Sequence, residues 1–472
     1  MEKAACDFGM IGLGVMGRNF LLNVADHQFA VIGHDLDVDK VTSLSSEANN
    51  NNVRATTDLK DFVNSLEIPR RIMLLVPAGQ IVDAVIESLI PLLDEGDIII
   101  DGGNSHYNDT TRRMDKLALK KLHFLGMGVS GGEEGARCGP SLMPGGSDEA
   151  YKPMRDMLEA AAAKVNGQPC VALMGDSAAG HYVKMVHNGI EYGIMQLLAE
   201  MYDVLHQVGG LDENELHQTF SDWNSGELQS YLVEITADIF AQPDELKDGE
   251  MLINSILDSA KQKGTGKWTS QSAMDLGIAI PTIDAAVTMR YLSALKKERT
   301  VAHKLYDRPL IEQYEDKAGL VLIAKEAFHF AMVISYAQGF AMLQQASEEM
   351  GFGLRLSEVA KVWRGGCIIR AKMLDHIMQI FRDNPKLKNL LLESVISGLL
   401  NTKIKYAREL VVLCVKNGLP AACLSASLSY FDGYRSARLP SNLIQAQRDY
   451  FGAHTYERVD QKGSFHTDWG EK

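Results

Sequence analysis

The sequence predicts a doubly wound α/β domain, then a large all-α domain with an internal duplication, then a polar C-terminal tail. Three observations carry this reading. Short apolar runs alternate with helical patterns up to about residue 176. From Ser177 the strand-like runs vanish and long helical patterns take over. A Trp-x-x-Gly segment closes a helical pattern twice, at Trp223 and 140 residues later at Trp363. The boundaries expected are 1–176, 177–438 and 439–472.

The strand runs come first: Phe8–Ile11, Ala30–Gly33, Arg71–Val76, Asp97–Ile100 and Leu122–Leu125. They are short, apolar and bounded by Gly, Asp or Asn, as suits strands covered on both faces of a parallel sheet. Between the first two lies Gly12-Leu13-Gly14-Val15-Met16-Gly17, a G-x-G-x-x-G that follows a strand and opens a helix. In that context it is the fingerprint of a Rossmann-like dinucleotide site. Gly12 permits the tight turn, Gly14 lets a pyrophosphate approach the backbone, and Gly17 lets helix pack on strand. Asp35 lies 23 residues after Gly12 at the end of the second strand, where an acid can accept from the ribose hydroxyls. Asp37 adds negative charge. A 2′-phosphate would meet repulsion of about 4 kcal/mol per charge pair at 4 Å for an effective dielectric near 20. The cofactor expected on these grounds is NAD rather than NADP.

Glycine-rich breaks at later strand ends, Asp101-Gly102-Gly103-Asn104-Ser105 and Gly128-Val129-Ser130-Gly131-Gly132, fall where α/β sheets bind ligands. Ser130 and the two N–H groups after it could cradle a carboxylate. Asp176-Ser177 is a plausible cap for a helix running to about Gln207. On it Lys184, His187, Asn188 and Glu191 stand at offsets 0, 3, 4 and 7, which share one face. A base and an acid two turns apart suit proton-in, proton-out chemistry. The loop from Lys261 to Trp268 combines cations and glycines, as suits a phosphate, although a solvated basic turn reads the same way. The apolar Ala327–Leu343 stretch is interrupted by His329, Ser335, Gln338 and Gly339 and reads as a core helix, not a membrane span. In the duplicated unit, Leu216 and Phe220 precede Trp223 as Leu356 and Ala360 precede Trp363. The tail from Leu439 is polar and irregular, and its expected state is one ordered by another surface.

A chain of 472 residues exceeds a single core, and a net charge of −14 argues against nonspecific nucleic-acid binding. The six cysteines include no C-x-x-C pair, and no metal-ligand cluster stands out. No secretory signal opens the chain and Gly470-Glu471-Lys472 matches no targeting signal, so the expected location is cytoplasmic.

The segments GLGVMG, DGGNS, VSGGEEGARCGPSLMPGG, KMVHNGIEYG, DSAKQKGTGKWT and RDYFGAHTYE occur in order from Gly12 nearly to the C-terminus. Together they resemble the decarboxylating 6-phosphogluconate dehydrogenases. That resemblance implies oxidation and decarboxylation of 6-phospho-D-gluconate to D-ribulose 5-phosphate in the pentose phosphate pathway, and a homodimer whose tails enter the partner subunit. It implies Lys184 as general base and Glu191 as general acid. Asn104, Ser130, Gly131, Gly132, His187 and Asn188 would hold the sugar acid. Tyr192, Lys263, Thr265 and Arg290 would hold the phosphate, with Arg448 and His454 donated by the partner. Met16, Val76, Ala78 and Asn104 would line the cofactor. One departure bears on the cofactor: members using NADP typically carry Asn-Arg-Thr where this chain has Asp35-Leu36-Asp37. The competing readings are a β-hydroxyacid dehydrogenase for a small unphosphorylated acid and a non-catalytic NAD-binding regulator. The former would lack the KGTGKW loop, the second repeat and Arg448; the latter would have lost Lys184 or Glu191.

Overall fold

The computed structural model describes residues 5–48 and 52–470. Glu471 and Lys472, with which the expected tail ends and the C-terminal tripeptide was read, lie outside the described residues.

Seven strands form one sheet: β1 Phe8–Ile11, β2 Val31–His34, β3 Val53–Thr56, β4 Arg71–Leu74, β5 Ile98–Asp101, β6 His123–Ser130 and β7 Ser141–Gly145. Their order is β3-β2-β1-β4-β5-β6-β7. All neighbours run parallel except β6 and β7. The chain order reverses beside β1, so the carboxyl ends of β1 and β4 open a crevice there. The central strands β1, β2 and β5 are buried at every residue, which is why they read as unbroken apolar runs.

Two strands escaped the apolar pattern. β3, Val53-Arg54-Ala55-Thr56, is a half-buried edge strand with no continuous apolar run. β7 contains Pro144 and Gly145, which an antiparallel edge tolerates. Its pairing extends β6 past the expected end at Leu125, through Gly126 and Gly128, to Ser130.

Beyond the sheet the chain is helical apart from short strand pairs. The helix Ala179–Gln207 begins two residues later than expected and spans 29 residues. The helix Lys317–Glu349 spans 33, and residues 327–343 within it are buried throughout. Although it is long and apolar enough to cross a membrane, it forms the middle of a protein core. Each of these two long helices is followed by a shorter one carrying a fully buried tryptophan, Trp223 in Glu213–Asn224 and Trp363 in Leu356–Trp363.

Contact between the sheet and the helical domain positions the chemistry. A Cβ at Gly128 on β6 would stand 2.4 Å from Lys184 Cβ, so the glycine lets the Ala179–Gln207 helix seat against the strand. The tail, expected to be irregular, holds a helix, Ser441–Gly452, and a short hairpin pairing Tyr456–Glu457 with Ser464–Phe465.

Candidate active site

The fingerprint turn is shaped as its glycines require. Gly12 has φ 97°, and a Cβ at Gly17 would lie 1.9 Å from Gly12 O. A Cβ at Gly14 would meet open space, and the helix Val15–Asp26 starts there with no side-chain cap. The first-turn N–H groups, with Val15 and Met16, therefore face a place where an anion can sit. One cavity of ≈ 510 Å³ lies beside this turn, walled by Gly12, Asp35, Leu36, Val76, Ile81 and Val85 among others. A second, of ≈ 650 Å³, runs from Met16, Val76 and Ala78 past Asn104 to Lys263 and Trp268. These residues fit a dinucleotide laid from the second strand toward the helical domain.

The four polar side chains of the Ala179–Gln207 helix meet as their spacing requires. Lys184 Nζ lies 3.3 Å from His187 Nδ1, which lies 3.0 Å from Asn188 Oδ1 and 3.8 Å from Glu191 Oε2. Asn188 Nδ2 donates to Thr265 Oγ1 at 3.2 Å. Ser130 Oγ is 3.4 Å from His187 Nε2. The Asn188 oxygen accepts only, which assigns the proton to Nδ1 and leaves Nε2 to accept from Ser130.

Burial sets the charge states. It drives the Lys184 ammonium below its ordinary pKa, against the opposing pull of Glu191. Glu191 is raised by burial, opposed by Lys184 and Arg290. His187 is held well below its usual value by burial and then by Lys184, so the ring is neutral. Burial thus favours the neutral amine of Lys184 and the protonated carboxyl of Glu191, the directions that paired base and acid catalysis needs.

Gly131 and Gly132, with φ 126° and 63°, follow Ser130 and turn the backbone at the end of β6. Tyr192 is buried beneath Arg290, whose guanidinium carbon lies 3.4 Å from the ring centroid. Thr265 opens the helix Thr265–Asp275 directly after Gly264, with Lys263 exposed on its approach. Of the sequence-predicted site residues, Arg448 and His454 alone stand apart. Both are exposed on the tail, and among the described residues neither bonds to any of the others.

Sequence reasoning missed the residues beneath this layer. Trp363 packs edge-to-face on His187 at 5.7 Å and donates Nε1 to Met143 Sδ at 3.3 Å. Gly366 O accepts from Ser141 N at 2.8 Å, docking the second helical unit against the sheet. Cys367 is fully buried near Lys184, and burial pushes its thiol up to about 12. Arg113, 1% exposed, donates to Gly79 O, Asp101 Oδ2 and Ser105 Oγ, tying the loops after β4 and β5 together. Trp363 and Gly366 did carry a signal, the Trp-x-x-Gly segment, and it was read as a repeat marker.

Comparison with known proteins agrees with this geometry. Residues 7–175 match the model of the NAD binding domain of 6-phosphogluconate dehydrogenase, and residues 180–469 match that of its C-terminal domain. The chain belongs to the 6-phosphogluconate dehydrogenase family. It is 50% identical over 462 residues to the "6-phosphogluconate dehydrogenase, NADP(+)-dependent, decarboxylating" of Bacillus subtilis (strain 168), covering 98% of each chain. It is 49% identical over 465 residues to the decarboxylating enzyme of Staphylococcus aureus (strain Mu50), covering 98% of this chain and 99% of that one. The Plasmodium falciparum 6-phosphogluconate dehydrogenase superimposes with a TM-score of 0.95 at 43% identity, covering 98% of this chain and 100% of that one. That enzyme was solved with its cofactor NADP+ and with its substrate 6-phosphogluconate. Like its relatives, the chain is an oxidoreductase of the decarboxylating 6-phosphogluconate dehydrogenase class.

These relatives overturn the expected preference for NAD. The Bacillus subtilis protein is NADP(+)-dependent by name and the Plasmodium enzyme holds NADP+. The structure supplies the physical reason. Asp35 and Asp37 are not the uncompensated acids that their sequence suggests: Lys40 Nζ lies 3.5 Å from Asp35 Oδ2 and 3.8 Å from Asp37 Oδ2. Asp35 also accepts the Leu13 and Asp37 N–H groups at 2.8 and 3.0 Å. Its charge is therefore largely engaged within the protein.

Proposed function

We propose that this protein oxidises and decarboxylates 6-phospho-D-gluconate to D-ribulose 5-phosphate and carbon dioxide, with NADP+ as oxidant, as a cytoplasmic homodimer with shared sites. One observation carries the reading. Lys184 and Glu191, whose pKa values burial shifts in opposite directions, share one helix face, and Asn188 between them bonds Thr265, two residues from the Lys263 wall of the cavity that reaches from the fingerprint turn. The relatives' names supply the substrate and the oxidant.

Bound NADP+ supplies the hydride acceptor. The chain's own residues do the rest. Lys184, whose neutral form burial favours, takes the proton of the carbon 3 hydroxyl as hydride leaves that carbon. The product is a β-keto acid, which loses carbon dioxide readily. The protonated Lys184 then stabilises the enolate oxygen that develops. Glu191 protonates carbon 1 of the enediol, which its raised pKa allows. Asn104, Ser130, Gly131, Gly132, His187 and Asn188 hold the sugar acid. Tyr192, Lys263, Thr265 and Arg290 hold the phosphate.

The dimer reading is supported by the tail. Leu443, Ile444 and Phe451 are 62, 59 and 72% exposed on the helix that carries Arg448. Apolar side chains so placed seek cover, and a second copy brings Arg448 and His454 to the phosphate. Steady-state assay of NADPH formation and carbon dioxide release from 6-phosphogluconate tests the function. Stoichiometric release of both is expected; oxidation without decarboxylation, or turnover only of an unphosphorylated hydroxy acid, would refute it.

A further inference from the structure

The tail is built around one carboxylate. Asp449 is fully buried although its neighbours Tyr450 and Phe451 are exposed. Its Oδ1 accepts Thr455 N at 2.9 Å and faces His466 Nδ1 at 2.9 Å. Its Oδ2 accepts Thr467 N at 3.1 Å and Trp469 Nε1 at 2.8 Å. Four donors thus meet the roughly four acceptor sites a carboxylate offers. Burial works against the charge, but these bonds, His466 first, hold the carboxyl down at about 2.

What those bonds enclose is the segment carrying His454. Ala453 and Thr455, on either side of it, have φ 49° and 60°, left-handed values that neither residue favours. The Asp449–Thr455 bond closes this turn, and Gln445 Nε2 to Thr455 O at 2.6 Å closes it from the preceding turn of helix. Arg448, adjacent to Asp449, is braced by Gln445 Oε1 at 3.2 Å. The same carboxylate therefore ties helix, turn and hairpin into one unit while Arg448 and His454 point outward.

We propose that Asp449 is the positioning residue that preassembles the tail, presenting Arg448 and His454 as a fixed pair to the phosphate site of the other subunit. This rests on the shared-site reading above. The tail then pays little ordering entropy when it docks, and its two cationic or donor groups arrive already spaced. It also explains why a segment this polar has a defined fold, which its composition alone did not suggest.

The test uses the full-length dimer. In Asp449→Asn the shape is kept, but an amide NH₂ faces N–H donors that the carboxylate had satisfied. The Michaelis constant for 6-phosphogluconate should rise about tenfold to a hundredfold, the scale of a lost charged hydrogen bond. The turnover number should stay within about threefold and the NADP+ Michaelis constant should not change, since neither depends on the phosphate contacts. Trp469→Phe, which removes one donor of the four, should give a smaller rise in the same constant. Mixed dimers of Asp449→Asn with Lys184→Ala should recover activity with normal substrate affinity at the one site that has both a wild-type base and a wild-type tail.

An Arg448→Ala control separates the two ideas. If Arg448→Ala raises the Michaelis constant and Asp449→Asn does not, the positioning role is overturned and the shared site stands. If neither variant changes it, or hybrids shown to form recover nothing, the shared site itself falls. Dissociation of Asp449→Asn into monomers by sedimentation would assign the carboxylate to assembly and overturn positioning.

Discussion

The two long helices of the helical domain, Ala179–Gln207 and Lys317–Glu349, are of similar length and cross closely. A Cβ at Gly193 would meet Ser335 Oγ at 2.4 Å, and one at Gly339 would meet Ile190 at 2.4 Å. Yet they do different things. The first carries Lys184, His187, Asn188 and Glu191 on one face. At the 140-residue offset that relates Trp223 to Trp363, the second carries Ala324, Ala327, Phe328 and Ala331, all fully buried. One scaffold thus appears twice, with the chemistry loaded on one copy and packing on the other. Burial acts on both: it stabilises the second helix through apolar contacts and perturbs the titration of the first.

The largest effect belongs to Lys184→Ala, which should lower turnover by at least the 100- to 10,000-fold typical of a lost general base, while cofactor binding followed by fluorescence titration stays near wild type. Phe328→Ala, on the packing copy, should cost about 3–5 kcal/mol in urea unfolding and leave turnover per folded molecule unaltered. Glu191→Gln should slow the overall reaction, about 100-fold, by removing enediol protonation. It should also delete one limb of the pH–rate profile, because an amide does not titrate there.

A subtler effect comes from Glu200, further along the first helix. Burial pushes it up to about 7, despite N–H groups donated by Cys423 and Leu424 at 2.8 and 2.9 Å. A carboxyl raised above its unfolded value, near 4.5, contributes stability that is complete below that pH and lost as pH rises through 7. The loss is on the order of 3 kcal/mol. Glu200→Gln should flatten the stability profile between about pH 4.5 and 7, as measured by chemical unfolding; an unchanged slope would place the titration elsewhere.

Local spacing explains what was legible in advance. The fingerprint from Gly12 to Gly17 and the helix face from Lys184 to Glu191 each lie within a few turns of backbone, so residue order alone assembles them. The parts that depend on distant pairing stayed hidden. β3 and β7 are edge strands whose residues show no apolar run, and Trp363 reaches His187 only because the second helical unit docks on the sheet. The cofactor expectation failed for a different reason: Lys40, only five residues on in the first turn of the next helix, pairs with both Asp35 and Asp37, which a count of acids does not register. Asp449 reads in sequence as one more polar tail residue, since its four donors lie 6 to 20 positions away.

In the proposed mechanism the first helix supplies both the base and the acid. Rapid-mixing single turnovers that follow NADPH formation and carbon dioxide release separately test it most directly. Lys184→Ala should form no NADPH on the wild-type time scale, whereas Glu191→Gln should form it in the first turnover and stall afterwards. Hydride transfer by Lys184→Ala at a wild-type rate would contradict it.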